Sequence, residues 1–252
     1  MSVPERVSLL CLPCAGASAT MYMRWRPLLP RWIEVVPIEL PGRGTRMGEA
    51  FVEDFDALVA RICTEQAAAL RGRFMLFGHS MGALLVYGVA QRLRARGLPL
   101  PLALLASGSS APSQRDPGRL PDTHDDAALT ADLRKQGGTP EEVFASAELM
   151  RITLDTLGAD YRVCESFSYD ARVSDAPLPL PMPVHVFAGR QDDIDVPRME
   201  AWSSHAGDAF TLDWFDGGHF FIRQREAAFL DALVRRVGQA LAGGRHASHA
   251  VA

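Results

Sequence analysis

Lysine, cysteine and net positive charge are all scarce in this sequence of 252 residues. The chain has a single lysine, Lys135, and four cysteines, and its 26 basic residues stand against 30 acidic ones for a net charge of −4. Proteins that bind nucleic acids usually carry a clear excess of basic residues, so that class is excluded. Four scattered cysteines are too few for a disulfide framework, and we expect them to be reduced in the cytoplasm.

Long apolar runs are missing as well. The uncharged window 74–91 contains His79, Ser80 and three glycines, which is unlike a bilayer-spanning helix. The N-terminus has no basic segment and carries Glu5 ahead of a short apolar run, so a secretory signal is not predicted. The sequence therefore predicts a cytoplasmic protein with no membrane segment.

Six apolar segments alternate with helical patterns along most of the chain. They predict strands at 7–12, 34–40, 73–77, 101–107, 184–188 and 210–215, and amphipathic or apolar helices at 53–71, 80–96 and 221–241. Buried strands that alternate with helices are typical of a mostly parallel sheet with helices on both faces. The predicted fold class is therefore α/β.

The alternation breaks between the fourth and fifth strands. Residues 111–182 contain three short helical patterns, at 125–136, 140–145 and 147–157, and no good strand. This insert has a net charge of −6, whereas the rest of the chain has +2. We predict a core built from 1–110 and 183–245, a helical insert at 111–182, and a flexible tail at 246–252.

The strongest local signal for function is the G-x-S-x-G sequence Gly78-His-Ser-Met-Gly82, which lies between a predicted strand and a predicted helix. A serine on such a turn is raised above the sheet edge, and the helix N-terminus offers unpaired N–H groups to a developing oxyanion. Ser80 is therefore the predicted nucleophile. The alternative is a plain turn in which Ser80 only caps the helix.

A serine nucleophile needs a base, and the base needs an acid that orients it. His219 follows the last predicted strand and two glycines, so it is the predicted base. Three carboxylates, Asp192, Asp193 and Asp195, follow strand 184–188. We favour Asp192 because its place in the loop suits an orienting acid; the alternative is that all three are solvated, with Asp193 capping the next helix.

The backbone N–H groups of Ala15 and Met81 are the predicted oxyanion donors. Ala15 lies in the loop after the first strand, and Met81 directly follows the nucleophile. The nearby Cys11-x-x-Cys14 pair lacks a second ligand pair, and we expect Cys14 to line a pocket beside this loop. No histidine or cysteine has metal-ligand spacing, so neither a metal nor an organic cofactor is expected.

These motifs resemble those of the stand-alone type II thioesterases of polyketide and non-ribosomal peptide biosynthesis. The resemblance covers about residues 9–241 and rests on five segments: Leu12-Pro-Cys-Ala-Gly, Glu39-Leu-Pro-Gly-Arg-Gly-Thr-Arg46, Phe77-Gly-His-Ser-Met-Gly-Ala83, Gly137-Gly-Thr-Pro-Glu141 with Ala159-Asp-Tyr161, and Phe215-Asp-Gly-Gly-His-Phe-Phe221.

The resemblance implies an α/β-hydrolase fold, a triad of Ser80, Asp192 and His219, and an insert that forms a lid. It also implies hydrolysis of acyl thioesters on the phosphopantetheine arm of acyl or peptidyl carrier proteins, which removes stalled or aberrant acyl groups. Arg43 and Arg46 either bind substrate or anchor their loop. The alternatives are an esterase or lipase for small oxygen esters, and a non-catalytic protein that binds acylated carriers. Since carriers of this kind are acidic, we expect docking on arginines outside the insert.

Overall fold

The computed structural model describes residues 5–169 and 179–249, with the backbone alone for Pro117 and for 244–249. Within these ranges a single sheet of six parallel strands runs through the molecule in the order β2-β1-β3-β4-β5-β6. The strands are β1 (Val7–Leu12), β2 (Ile33–Pro37), β3 (Phe74–His79), β4 (Leu104–Ser107), β5 (Val184–Gly189) and β6 (Phe210–Phe215). The predicted α/β class with a parallel sheet is confirmed.

The helices form two layers because successive strand side chains point to opposite faces. On one face, the even-numbered positions of β1, such as Leu10, pack with α1 (Phe55–Glu65) and α2 (Met81–Ala95). On the other face, Leu9 and Phe77 pack with α8 (Glu226–His249) and with a 3₁₀ helix at Ala19–Trp25. The four central strands, β1, β3, β4 and β5, are therefore buried on both faces, as their near-continuous apolar sequences predict.

The insert is helical, as predicted. It contains α3 (Asp126–Gln136), α4 (Glu141–Ala145) and α5 (Ala147–Ser166), which extends beyond the predicted end at residue 157. Two more short helices follow β5 and β6, namely α6 (Val196–Glu200) and α7 (Phe221–Gln224). The insert residues 170–178 lie outside the described part, and whether the insert is a separate unit stays a prediction.

The end of the chain differs from the sequence prediction. The predicted helix 221–241 is divided at Arg225 into α7 and α8, and α8 continues through Gly243 to His249. A glycine costs a helix only about 1 kcal/mol relative to alanine, so a glycine pair weakens a helix without ending it. Residues 246–249 of the predicted tail are thus helical, and residues 250–252 lie outside the described ranges.

No helix within residues 5–169 and 179–249 combines the length and the apolar character that crossing a bilayer requires.

Candidate active site

Ser80 occupies the turn from β3 to α2 in a conformation that few residues adopt. Its φ is 56° and its ψ is −118°, and among the described residues it alone combines a positive φ with a side chain. Such backbone strain costs of order 1–3 kcal/mol and occurs mostly at functional sites. The Ser80 side chain makes no capping hydrogen bond to α2, so the alternative of a plain helix cap is wrong.

The two glycines of the motif are required by close packing. A Cβ atom at Gly78 would overlap the backbone of Gly82, and one at Gly82 would overlap the carbonyl oxygen of Leu12 at the end of β1. The tight turn can therefore form only where both positions lack a side chain.

Asp192 and His219 meet at the same edge of the sheet as Ser80, because the carboxyl ends of parallel strands lie together. Asp192 follows β5 and His219 follows β6, and Asp192 Oδ2 lies 2.9 Å from His219 Nδ1. The Asp192 side chain is 5% exposed and that of His219 is 14% exposed. A mostly buried carboxylate on Nδ1 fixes the orientation of the imidazole.

The two neighbouring carboxylates have other partners. Asp193 forms an ion pair with Lys135 of α3 at 2.5 Å, and this pairing lowers the pKa of the Asp193 carboxyl. Asp195, rather than Asp193, caps α6 by accepting a hydrogen bond from the N–H of Arg198 at 3.1 Å. Among the three candidate acids, the structure brings Asp192 to the imidazole.

His79 is a second imidazole beside His219. The two ring centroids lie 5.0 Å apart, and His79 Nδ1 is 2.9 Å from the Ser107 hydroxyl. Burial, and then the nearby His219 and Arg223, hold the pKa of His79 well below its ordinary value. His79 therefore stays neutral and presents no fixed charge to its neighbour.

Ser80, Met81, Asp192, His219 and Ala15 all line one cavity of about 450 Å³. Four of them come from loops that follow β1, β3, β5 and β6, and β1 and β3 flank the point where the strand order reverses. Ligands in open α/β sheets bind at such a point. The insert forms the facing wall of the cavity, with Arg119, Leu120, Asp132, Lys135, Gln136, Tyr161 and Cys164 among its lining residues.

A second cavity of about 290 Å³ borders the loop after β1 and is lined by Cys14. The prediction that Cys14 lines a pocket beside this loop is therefore confirmed. Burial raises the pKa of its thiol to about 12, so Cys14 is a neutral apolar wall at physiological pH.

Arg43 and Arg46, which sequence analysis left open, both form ion pairs. Arg46 binds Glu49 and Glu65 on the surface, whereas Arg43 is buried and binds Asp160 of α5 through two hydrogen bonds. Neither arginine lines the cavity at Ser80. Asp160 was missed as a partner because a contact across 117 residues leaves no local signal.

Metal ligands do not converge within residues 5–169 and 179–249, where no group of three His, Cys, Asp or Glu side chains is arranged to hold an ion. That the protein works without a metal or cofactor stays a prediction.

The chain is similar to proteins of antibiotic biosynthesis. The family model described as "Thioesterase domain" matches residues 7–241. Linear gramicidin dehydrogenase LgrE of Brevibacillus parabrevis is 32% identical over 249 residues, which cover 97% of this chain and 93% of that protein. The probable cadicidin biosynthesis thioesterase of Streptomyces griseus is 35% identical over 241 residues, or 94% of this chain and 63% of that protein.

Among solved structures, the type II thioesterase BorB from the borrelidin biosynthetic cluster is similar over 95% of this chain and 94% of its own. The TM-score is 0.81 and the sequence identity is 35%. The α/β-hydrolase fold and the resemblance to type II thioesterases are thereby confirmed. This chain belongs to the thioesterase domain family, whose model matches it from the start of β1 into α8.

Proposed function

We propose that this protein hydrolyses acyl thioesters on the phosphopantetheine arm of carrier proteins, with Ser80, Asp192 and His219 as its catalytic triad. The proposal rests on the Asp192–His219 hydrogen bond of 2.9 Å, made in the cavity that the strained Ser80 also lines. Its biological role is editing, in which stalled or aberrant acyl groups are removed from polyketide or non-ribosomal peptide assembly. The names of the thioesterase relatives from biosynthetic clusters support this role.

His219 acts first as a base and then as an acid. With Nδ1–H donated to Asp192, Nε2 accepts the Ser80 proton as Oγ attacks the thioester carbonyl. The tetrahedral intermediate collapses, the C–S bond breaks, and the proton on His219 goes to the departing sulfur. Water then enters, gives a proton to His219 and attacks the acyl-serine, and the carboxylic acid leaves as Ser80 regains its proton.

The backbone N–H groups of Ala15 and Met81 hold the oxyanion in both tetrahedral intermediates. Both residues line the Ser80 cavity, and Met81 begins α2, where the unpaired N–H groups of a helix N-terminus add partial positive charge. A donor of this kind is typically worth about 10²–10³ in turnover.

A thiol leaving group needs little help from the catalytic residues. A thiol has a pKa of about 8.5, so a thiolate departs with far less help from a general acid than an amine needs. The neutral His79 beside His219 suits the same chemistry, because a fixed cation there would oppose protonation of the base.

The partner in this proposal is an acyl or peptidyl carrier domain, with no role for nucleic acid or membrane. A cytoplasmic location stays a prediction, supported by four cysteines that are all free and buried.

Hydride transfer, which the name of the LgrE relative suggests, is not proposed for this chain. A dinucleotide site of the usual kind needs G-x-G-x-x-G directly after a strand, so that the backbone can approach the pyrophosphate. After β1 the sequence reads Pro13-Cys-Ala-Gly-Ala-Ser-Ala-Thr20, with a single glycine.

Two comparisons test the proposed function against its alternatives. The first sets kcat/KM for acyl-carrier thioesters beside kcat/KM for a matched oxygen ester, and we expect the carrier thioester to be preferred. Preference for the oxygen ester would favour an esterase. The second compares carrier binding and acyl release by wild type and Ser80→Ala. We expect Ser80→Ala to bind the carrier as wild type does but to release no acyl group. Equal release by both proteins would favour a non-catalytic binding protein.

A further inference from the structure

The insert helix α5 reaches the loop after β1 through one buried carboxylate. Asp160 is 1% exposed, and its Oδ2 accepts a hydrogen bond from the backbone N–H of Gly16 at 2.8 Å. The same carboxylate binds both terminal nitrogens of Arg43, at 2.5 and 2.6 Å. Arg43 also donates to the carbonyl oxygen of Ala17 at 3.3 Å. Asp160 and Arg43 together hold the loop on both sides of the Gly16 peptide.

The loop itself is a tight turn, and Asp160 contacts it at the Gly16 N–H. The N–H of Ala17 donates to the carbonyl of Cys14 at 3.1 Å, and Gly16 has a φ of +73°, as the third position of a type II turn requires. A Cβ at Gly16 would lie only 3.3 Å from Cδ1 of Leu157, so α5 packs directly on the turn. Ala15 is the other central residue of this turn.

A buried ion pair is weak evidence for a role in stability, because desolvation of both charges offsets their attraction. Here the pair has a more specific geometry. The Asp160 carboxylate accepts a hydrogen bond from the Gly16 N–H and also binds the Arg43 guanidinium. That guanidinium in turn donates to the carbonyl oxygen of Ala17. We infer that Asp160, held by Arg43, is a positioning residue that fixes the turn and thereby aims the Ala15 N–H at the oxyanion.

This inference rests on the proposed function and extends it to the insert. The oxyanion hole has one donor on the sheet side, at Met81, and one on a turn that is held by α5. The hole is therefore complete only while α5 is seated on the body. The insert then contributes to the chemical step in addition to covering the cavity.

The chain offers a matched control for this contact. Arg162 of α5 binds Glu53, just ahead of α1, through two hydrogen bonds of 2.9 and 2.6 Å. This pair also joins α5 to the body, but it is partly exposed and touches no residue of the turn. Replacing this pair removes an ion pair between α5 and the body but leaves the turn that carries the proposed oxyanion donor unchanged.

The test compares three double variants and one single variant with wild type. R43M/D160L replaces the pair by apolar residues, a change that is often neutral for stability, and leaves Gly16 without its acceptor. R43Q/D160N removes both charges but keeps an amide oxygen for the Gly16 N–H. R43K keeps a charged pair and loses the two-pronged geometry, which provides a folded comparison if R43M/D160L is unstable. E53L/R162M is the control.

The measurements are thermal unfolding, titration of reactive Ser80 with a fluorophosphonate, and kcat and KM per titrated site with an acyl-carrier thioester. We expect R43M/D160L to lower kcat and kcat/KM by the same factor, about 10², as loss of a transition-state contact does. For R43Q/D160N, kcat should be within about tenfold of the wild-type value. The kcat of R43K should lie between those of R43M/D160L and R43Q/D160N, and the kcat of E53L/R162M should equal that of wild type.

Wild-type kcat in R43M/D160L would overturn the role of Asp160. If that variant is unfolded, wild-type kcat in R43K would overturn the claim that the two-pronged Arg43 contact holds Asp160 on the turn. Equal losses in R43M/D160L and E53L/R162M would also overturn it, since α5 docking alone would then explain both. An absence of Ser80-dependent thioester turnover in the wild-type protein is a different result. It would overturn the proposed function, and the inference with it.

Discussion

The carboxylate of Asp192 lies 2.9 Å from Nδ1 of His219, although 27 residues separate the two along the chain. The loops after β5 and β6 bring them together because these strands are parallel neighbours. With Nδ1 engaged by the carboxylate, Nε2 is the nitrogen left for Ser80 in the proposed mechanism.

This pairing predicts opposite outcomes for two adjacent aspartates. Asp192→Asn removes the acceptor that holds the His219 tautomer, and kcat should fall by about 10⁴, as in other triads. Asp193→Asn should change kcat by no more than a few-fold, since the mostly exposed Asp193 carboxylate pairs with Lys135 and not with the His219 ring. Steady-state kinetics on an acyl thioester measures both. A larger loss in Asp193→Asn would make Asp193 the orienting acid.

Because of the tight turn at Ser80, we predict that replacing Gly78 destabilises the fold. A Cβ there would overlap the backbone of Gly82, so Gly78→Ala should lower the free energy of unfolding by at least 1–3 kcal/mol. Gly48 has no atom within 4 Å of an added Cβ, and Gly48→Ala should stay within about 0.5 kcal/mol of wild type. Urea unfolding gives both values, and equal stabilities would contradict the close packing.

Buried histidines predict that the fold weakens in mild acid. Burial lowers the pKa of His185 and of His205 to about 4 in the folded protein, against an ordinary value of 6.5. The unfolded chain therefore binds more protons between pH 6.5 and 4, so this contribution to stability is complete above about pH 6.5 and is lost as the pH falls toward 4.

The measurement is the unfolding temperature from pH 7.5 to 4.5, for wild type and for a variant that carries His185→Asn and His205→Gln. These amides keep a polar atom near Thr211 and Ser113, the present partners of the two rings. The variant should show a shallower loss of stability with acid. Identical slopes would assign the acid sensitivity to other groups.

Carrier docking outside the insert predicts that arginines near the His219 loop set KM. Arg190 and Arg225 are exposed there, and Arg190→Glu with Arg225→Glu should raise KM for an acyl carrier several-fold and leave kcat unchanged. A small acyl thioester without a carrier should be turned over as before. Arg119 of the insert also lines the cavity, so Arg119→Glu is the comparison. If only Arg119→Glu raised KM, docking would lie on the insert.

Local signals in the sequence predict the sheet and the three candidate site residues. Ser80, Asp192 and His219 each follow a strand that is recognisable from its apolar residues, and parallel strands bring their carboxyl ends to one edge whatever the details of packing. The strain at Ser80 follows from the spacing of its glycines. That part of the site depends on short stretches of chain, which explains why it could be predicted.

The contacts that surround these residues depend on packing between distant segments. Asp160 meets Gly16 only because α5 lies on the turn after β1, and neither segment carries a pattern that specifies the other. The ring of His79 lies against His219 through the same long-range geometry. The predicted end of the last helix was wrong for a different reason, since two glycines lower helix propensity too little to end a helix.

The most direct test of the proposed chemistry uses mass spectrometry of an acyl-carrier protein incubated with wild type, Ser80→Ala, or Ser204→Ala. Ser204 is exposed on a 3₁₀ helix away from the cavity, so its variant controls for the substitution itself. Wild type and Ser204→Ala should release the acyl group and leave free phosphopantetheine, whereas Ser80→Ala should leave the acyl thioester intact. Release by Ser80→Ala at the wild-type rate would contradict a serine mechanism at this site.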